Sequence, residues 1–259
     1  MLNEYFEKTI TDGAVERWRY PRFFTENIGK TAVITGADAA HISRVLRMKS
    51  GDLAIVCDGR KTDCLCRIIS ADSSCVELEI LDKRENEAEP SVYLRLFQCL
   101  PKGDKLEFIV QKAVELGASE IIPVASKRCV SRPDRKSSEK KLERYRRIAE
   151  EAAKQCGRGI LPKIGETLDF PQAVKAVNPE GLGLIFYECG GESLVSLAGG
   201  IKSGAIDVFI GSEGGFEESE VSLALENGIH AATLGKRILR CETAPIAAIS
   251  VLMNLTGNM

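Results

Sequence analysis

The 259-residue chain is predicted to be an α/β protein, with a small, mainly β domain followed by a larger domain built on a mostly parallel sheet. Three observations support this: short β-like runs early in the chain, regular alternation of strands and helices later, and a polar segment between them, Asp82–Pro90. This length suits two domains better than one. We place the domains at residues 21–85 and 91–259, with residues 1–20 as an extension outside both.

The first domain contains several short runs of β-forming residues separated by turn-forming residues, a pattern typical of a small barrel. One helical stretch, Asp38–Met48, precedes these runs and places its apolar side chains on one side. The strands are predicted at Asp52–Asp58, Lys61–Ile69 and Cys75–Leu81.

In the second domain, strands alternate with helices, which predicts a parallel sheet covered on both faces. The long helix Asp134–Cys156 carries an apolar stripe, and Gly117 ends the helix before it. Ligands of such sheets bind at the carboxyl ends of the strands. The predicted strands are Val92–Cys99, Glu120–Val124, Leu182–Tyr187, Ile206–Ile210 and His230–Leu234, and the other helices are Lys102–Leu116 and one starting near Pro245.

Composition excludes several classes of protein. The longest apolar runs fall short of the ~20 residues of a membrane span, and no signal peptide is evident, so we expect no membrane association and a cytoplasmic location. The chain has nine cysteines and two histidines but no C-x-x-C pair. We therefore expect reduced thiols and no metal site.

Charge is unevenly distributed, although the net charge is only −2. Lys127–Arg147 holds ten basic and three acidic residues, whereas residues 165–259 hold five basic and twelve acidic ones. This asymmetry indicates that a polyanion docks on the first of these regions while the second has another task.

A glycine-rich loop, Gly211–Phe216 (GSEGGF), directly follows a predicted strand. Its glycines allow backbone to approach a ligand closely. Glu217, Glu218 and Glu220 open the next helix and would repel a phosphate, and the chain has no dinucleotide-binding or P-loop motif. Taken alone, Glu213 in this loop is more consistent with a solvated turn acid.

A second loop, Leu234–Ala244 (LGKRILRCETA), precedes the last helix and brings basic residues close to Glu242. Thr243 is predicted to cap that helix, with Pro245 at a position suited to its first residue. On its own, Arg240 is equally consistent with a surface charge. The basic residues are Lys236, Arg237 and Arg240.

Together these loops resemble the signature of the SPOUT class of methyltransferases. Additional ordered motifs make the chain similar to the ribosomal RNA small-subunit methyltransferase E family from Arg22 to the C-terminus. The family usually has proline where this chain has Ser212, and this difference is expected to loosen the loop slightly. The additional motifs are Arg22–Phe24, His41–Arg47, Gly51-Asp52, Gln111–Gly117 and Glu151–Arg158.

The resemblance implies a PUA-like RNA-binding barrel, followed by an α/β domain with a deep trefoil knot. It also implies a homodimer that uses S-adenosyl-L-methionine (SAM) to methylate N3 of one uridine in 16S rRNA, as free RNA or within the small ribosomal subunit. The cofactor contacts that it implies are Phe186, Tyr187, Glu188, Gly211, Gly215, Leu234, Gly235, Ile238, Leu239, Thr243 and Ala244.

N3 of uracil carries a proton at neutral pH and becomes nucleophilic only when that proton leaves. Our hypothesis is that Arg240 stabilises the developing anion, while Glu213 or Glu242 orients the arginine or accepts the proton. Cations of both domains are expected to bind RNA phosphates. They are Arg22, Arg44, Arg47, Lys49, Lys102, Arg128, Arg132 and Arg144.

Three alternatives remain at this stage. One is a SPOUT methyltransferase that acts on another RNA or base, and another is a non-catalytic RNA-binding factor in ribosome assembly. The charged loop Arg237–Thr243 argues against the second, because RNA binding alone does not need it. A Ser–His hydrolase is disfavoured, since neither His41 nor His230 lies near a nucleophile-elbow motif.

Overall fold

A computed structural model describes residues 20–130 and 135–259, which fall into two compact units. Among the described residues, the first unit contains 20–57 and Asp63–Arg84, and the second contains Asp58–Thr62, 85–130 and 135–259. No helix within the described ranges is long and apolar enough to cross a membrane.

The first unit is a five-stranded sheet in the order β1-β3-β4-β5-β2. After β1 the chain turns toward β2, where the Val33 N–H donates to Asn27 O at 3.0 Å and Thr25 Oγ1 donates to Val33 O at 2.8 Å. The two edges therefore approach each other as the predicted barrel requires. The strands are β1 Arg22–Phe24, β2 Thr31–Thr35, β3 Leu53–Cys57, β4 Thr62–Ala71 and β5 Cys75–Glu85.

Two details of this unit differ from the sequence prediction. The helical stretch is the short α1, Gly36–Ala40, followed by a π-helical turn, His41–Val45. The predicted linker Asp82–Pro90 begins within β5, because backbone pairing to the neighbouring strand continues through Glu85 although the side chains there are polar and mostly exposed. Polar composition therefore marked the end of the apolar core rather than the end of the strand.

The second unit has an eight-stranded sheet whose main path runs β11-β13-β10-β12-β6-β7-β8, with β9 beside β7. All of its described strand pairs are parallel, which confirms the prediction. The strands are β6 Val92–Cys99, β7 Glu120–Ala125, β8 Lys163–Ile164, β9 Leu168–Asp169, β10 Leu182–Phe186, β11 Glu192–Ser193, β12 Gly204–Ile210 and β13 His230–Thr233.

The helices of this unit form two packed groups. In the first, α2 contacts both α3 and α7, and α7 also contacts α5; in the second, α4 packs on α6. Sequence analysis had not placed β8, β9, β11, α4 or α5, because such short elements have too few residues to show a period. The helices are α2 Lys105–Glu115, α3 Arg135–Cys156, α4 Phe170–Lys175, α5 Leu194–Ala198, α6 Glu218–Glu226 and α7 Thr243–Leu255.

The ends of α2 and the centre of the sheet show how sequence sets this packing. Gly117 has a φ of +97°, and the N–H groups of Gly117 and Ala118 close the helix by bonding to the carbonyls of Val114 and Ala113. In the core, the rings of Phe97 and Phe209 stack with centroids 4.5 Å apart, because their strands pair in that register.

Candidate functional site

The site lies at one edge of the parallel sheet, where β13, β10, β12 and β6 end side by side. Because neighbouring strands run in the same direction, the loops that follow them emerge at the same edge. These loops are residues 187–191 after β10, 211–217 after β12 and 234–242 after β13. They contain most of the predicted cofactor-binding residues, so the topology brings together segments that are distant in sequence.

The glycine-rich loop after β12 is anchored by a buried phenylalanine and a buried carboxylate. Phe216 is fully buried, and its ring packs against Phe170 with centroids 5.6 Å apart. The buried carboxylate of Glu220 accepts hydrogen bonds from the N–H of Lys127 at 2.9 Å and of Glu217 at 3.0 Å. The second bond belongs to the capping box of α6, so the acids at this helix start order the loop, which explains their position.

A left-handed backbone conformation explains the glycine at position 215. Its φ is +67°, and a Cβ atom there would lie 2.7 Å from Glu188 Oε1 of the loop after β10. The same loop is tied to β13, since the Tyr187 N–H donates to Ala232 O at 3.4 Å. The structure therefore places Tyr187, Glu188 and Gly215 together, with half-buried Phe186 at the end of β10.

A lysine that the sequence analysis did not select connects the two signature loops. Lys105, at the start of α2, places its Nζ 2.8 Å from Glu213 Oε1 and 3.3 Å from Glu242 Oε2. The backbone N–H of Lys102 also donates to Glu213 Oε1 and Oε2 at 3.2 and 3.3 Å. The two predicted acidic residues therefore share one cation, supplied by the segment after β6.

The contacts of this cluster shift its titration. Partial burial acts to raise the pKa of Glu213, but hydrogen bonds from Lys105 and from the backbone N–H groups outweigh burial and hold that pKa at about 2. Hydrogen bonding by Cys241 and by Lys105 lowers the pKa of Glu242. Both carboxylates are therefore ionised at neutral pH, and the pKa of Lys105 is raised chiefly by its bond to Glu213.

The third loop, 234–242, is the most exposed part of the site. The Arg240 side chain is exposed and makes no hydrogen bond or ion pair with the described residues. Ile238 is 87% exposed, so its side chain forms no buried apolar surface. The Arg240 side chain is therefore available for a substrate. In the same loop, Leu239 is half-buried, and Gly235 is exposed with a φ of +98°.

The start of α7 corrects two predictions. The helix begins at Thr243 with Glu242 as the preceding residue, so Thr243 does not cap it and Pro245 occupies the third position rather than the first. Arg240 O accepts the N–H groups of Thr243 and Ala244, both at 2.9 Å, and this extra turn extends the helix toward the site. Proline is tolerated there because the N–H groups of the first turn need no partner within the helix.

Ser212, which replaces the family proline, is buried. Its hydroxyl has no nitrogen or oxygen partner among the described residues, and the same holds for Oε1 of the buried Gln98. Gln98 Nε2 donates to Gly211 O at 3.3 Å and so supports the glycine-rich loop from β6.

The predicted RNA-binding cations that the structure describes fall into three groups. Arg22 is buried and bonded to Asp63 at 2.5 and 2.7 Å, which does not fit a phosphate contact. Arg128 bonds to Gly214 O and Glu217, both at 3.0 Å, and Arg144 bonds to Glu107 at 2.6 Å, so both support neighbouring segments. Arg132 lies outside the described residues. Arg44, Arg47, Lys49 and Lys102 are exposed.

The cysteines behave as expected. All nine fall within the described ranges, and none is in a disulfide. Most are buried, and Cys241 donates to Glu242 Oε2 at 3.1 Å beside the acidic cluster. Burial and this neighbouring carboxylate raise the pKa of Cys241 to about 12, so its thiol stays protonated.

Comparison with known proteins identifies this arrangement. The model of a family described as RNA methyltransferase domain matches residues 88–253, and that of an RNA methyltransferase PUA domain matches residues 34–81. A ribosomal RNA small subunit methyltransferase E from Bacillus subtilis is 36% identical over 86% of this chain and 89% of its own. The chain belongs to the ribosomal RNA small subunit methyltransferase E family.

Solved structures agree with this family membership. A ribosomal RNA small subunit methyltransferase E from Neisseria gonorrhoeae, bound to S-adenosyl methionine, superposes with a TM-score of 0.83 at 32% identity, covering 91% of this chain and 98% of its own. A Legionella pneumophila methyltransferase with bound SAM gives a TM-score of 0.84 at 28% identity, covering 92% and 98%. The family is therefore one of RNA methyltransferases, and this chain is an enzyme of that class.

Proposed function

We propose that this protein methylates N3 of a specific uridine in 16S rRNA with SAM as methyl donor. The observation that carries the proposal is the meeting of three loops at one sheet edge, with exposed Arg240 two residues from a carboxylate cluster tied to Lys105. The names of the Bacillus subtilis and Neisseria gonorrhoeae relatives, and the SAM bound to the latter, support substrate and cofactor.

The residues present fit this cofactor. Gly215 lies directly against the carboxylate of Glu188, so two of the residues implied for cofactor binding meet where the loops after β10 and β12 come together. Ile238 and Thr243 would contribute to cofactor binding through backbone groups. The other residues that would hold the cofactor are Phe186, Tyr187, Glu188, Gly211, Leu234, Gly235, Leu239 and Ala244. When bound, SAM supplies a methyl group already activated by its sulfonium.

The protein then has to generate and aim the N3 anion. Arg240 provides a fixed positive charge for the anion that develops on the uracil ring. Glu213, with its pKa near 2 and several donors, is too weak a base to take the proton, so we assign it to positioning. Glu242, whose lysine contact is longer at 3.3 Å, is assigned to accept the N3 proton.

Three further features belong to this proposal rather than to the findings above. We propose that the second unit is knotted, because later strands β12 and β13 insert between earlier ones in the sheet order. We propose a homodimer, and cytoplasmic action on rRNA or on the small subunit. RNA binding is assigned to the exposed cations Arg44, Arg47, Lys49 and Lys102, with Arg128, Arg132 and Arg144 in supporting roles and the PUA domain as a platform.

The proposal is tested by mass spectrometry of 16S rRNA nucleosides from cells that lack the gene. We expect one 3-methyluridine to disappear, and to return with the intact gene or with the control Lys175→Ala on α4, but not with Arg240→Ala. An unchanged level of 3-methyluridine would refute the substrate and direct the search to another RNA or base. Full restoration by Arg240→Ala would refute the assigned role of this arginine.

A further inference from the structure

The second unit contains a cavity of about 300 Å³ beside the loops described above. Leu100, Pro101 and Gly103 line one wall, and all three belong to the segment that follows β6. The same segment carries Lys102 and Lys105, which hold Glu213. The segment that positions the acidic cluster therefore also lines the cavity. None of the residues assigned to cofactor binding or catalysis lines it.

The lining of the cavity combines apolar and polar groups in similar proportion. Leu100, Leu106 and Pro123 are buried lining residues. Tyr145 of α3 also lines the cavity and is only 8% exposed, yet its hydroxyl forms no hydrogen bond with any described residue. This hydroxyl is therefore free to form a hydrogen bond with a ligand in the cavity.

The rim of the cavity is charged. Glu166 lies at the rim, is exposed and has no partner among the described residues, and Lys141 of α3 lies there too. A carboxylate accepts hydrogen bonds from amino groups, and a lysine suits a phosphate. The site therefore combines apolar side chains, a tyrosine hydroxyl, a carboxylate acceptor and a cation, which together match one nucleotide.

We infer that this cavity binds an unpaired RNA base next to the methylated nucleotide, and that this base carries an exocyclic amino group. The inference rests on the proposed function for its reference to a methylated nucleotide. Uracil lacks an amino group to donate to Glu166, whereas adenine, guanine and cytosine have one. The volume lies at the lower end of the range for small-ligand sites, which suits a single base.

The test measures binding of AMP, GMP, CMP and UMP to the full chain by saturation-transfer NMR, at millimolar concentration and with saturating SAM present. We expect binding of at least one amino-bearing monophosphate to be stronger than binding of UMP. Tyr145→Phe and Glu166→Gln should each weaken it roughly tenfold. Leu142→Trp, which fills the cavity, should abolish it, whereas Lys140→Trp on the exposed side of α3 should not.

Several outcomes would overturn the inference: no binding of any monophosphate, equal binding of UMP, loss of binding on addition of SAM, or binding that is unchanged in all three cavity variants. The conservative variants Tyr145→Phe and Glu166→Gln keep the test decisive if Leu142→Trp fails to fold. No readout involves methyl transfer, so failure of this inference is distinct from failure of the proposed function, which the rRNA analysis decides.

Discussion

Removing the Lys105 ammonium group should separate two roles that the acidic cluster combines. In Lys105→Met, Glu213 loses its 2.8 Å contact and Glu242 its 3.3 Å contact, while Glu213 keeps the Lys102 N–H. We therefore expect the pKa of Glu213 to rise from about 2 part of the way toward its ordinary value of 4.5. Because both signature loops lose a common anchor, kcat should fall by roughly a hundredfold.

The pH dependence follows from the direction of the shift. A carboxylate with a depressed pKa stabilises the fold above its ordinary value of 4.5, and that contribution is lost as pH falls toward 2. Wild-type protein should therefore lose more stability between pH 4.5 and 2 than Lys105→Met does. Urea unfolding at several pH values measures this, and carbon-detected NMR titration reports the pKa of Glu213 directly.

Two controls decide what the lysine does. Lys105→Arg keeps the positive charge and should restore most of kcat, whereas Lys112→Met, which breaks a 2.8 Å pair with Glu115 further along α2, should leave kcat unchanged. Positioning is refuted if Lys105→Met transfers methyl groups at the wild-type rate, or if Glu213 still titrates near 2.

Two further predictions concern stability and cofactor binding. Arg158→Met breaks a buried bond to Glu89 of 2.7 Å, with side chains only 4% exposed, and should destabilise the fold by ~3–5 kcal/mol in urea unfolding. The exposed Arg147→Met should cost less than ~1 kcal/mol, and equal losses would contradict this reasoning. Gly215→Ala should weaken SAM binding roughly tenfold by calorimetry, since its φ of +67° is unfavourable for alanine and its Cβ would displace the Glu188 carboxylate, which is proposed to hold the cofactor. Gly228→Ala, with similar φ but open space, tests whether backbone strain alone explains the loss.

Much of the architecture could be predicted because it depends on local pattern. Alternating apolar runs and helices predicted the parallel sheet, and β6, Val92–Cys99, was predicted with its observed bounds. The loop motifs GSEGGF and LGKRILRCETA selected Glu213 and Glu242, which the fold brings onto one lysine. Where elements were short or polar, as in β8 or the end of β5, the local signal was too weak.

The sequence by itself therefore determined the α/β fold class through its periodicity, while motif resemblance indicated the family and the loops of the candidate site. Only the tertiary structure decided which side chains meet. Lys105 precedes Glu213 by 108 residues, and nothing local relates them until β6 and β12 pair in parallel. Likewise, nothing in the sequence distinguishes Arg22 from a surface cation, and only the fold shows that its side chain is buried and paired with Asp63. Partner choice depends on strand order and burial, which arise from packing the whole chain.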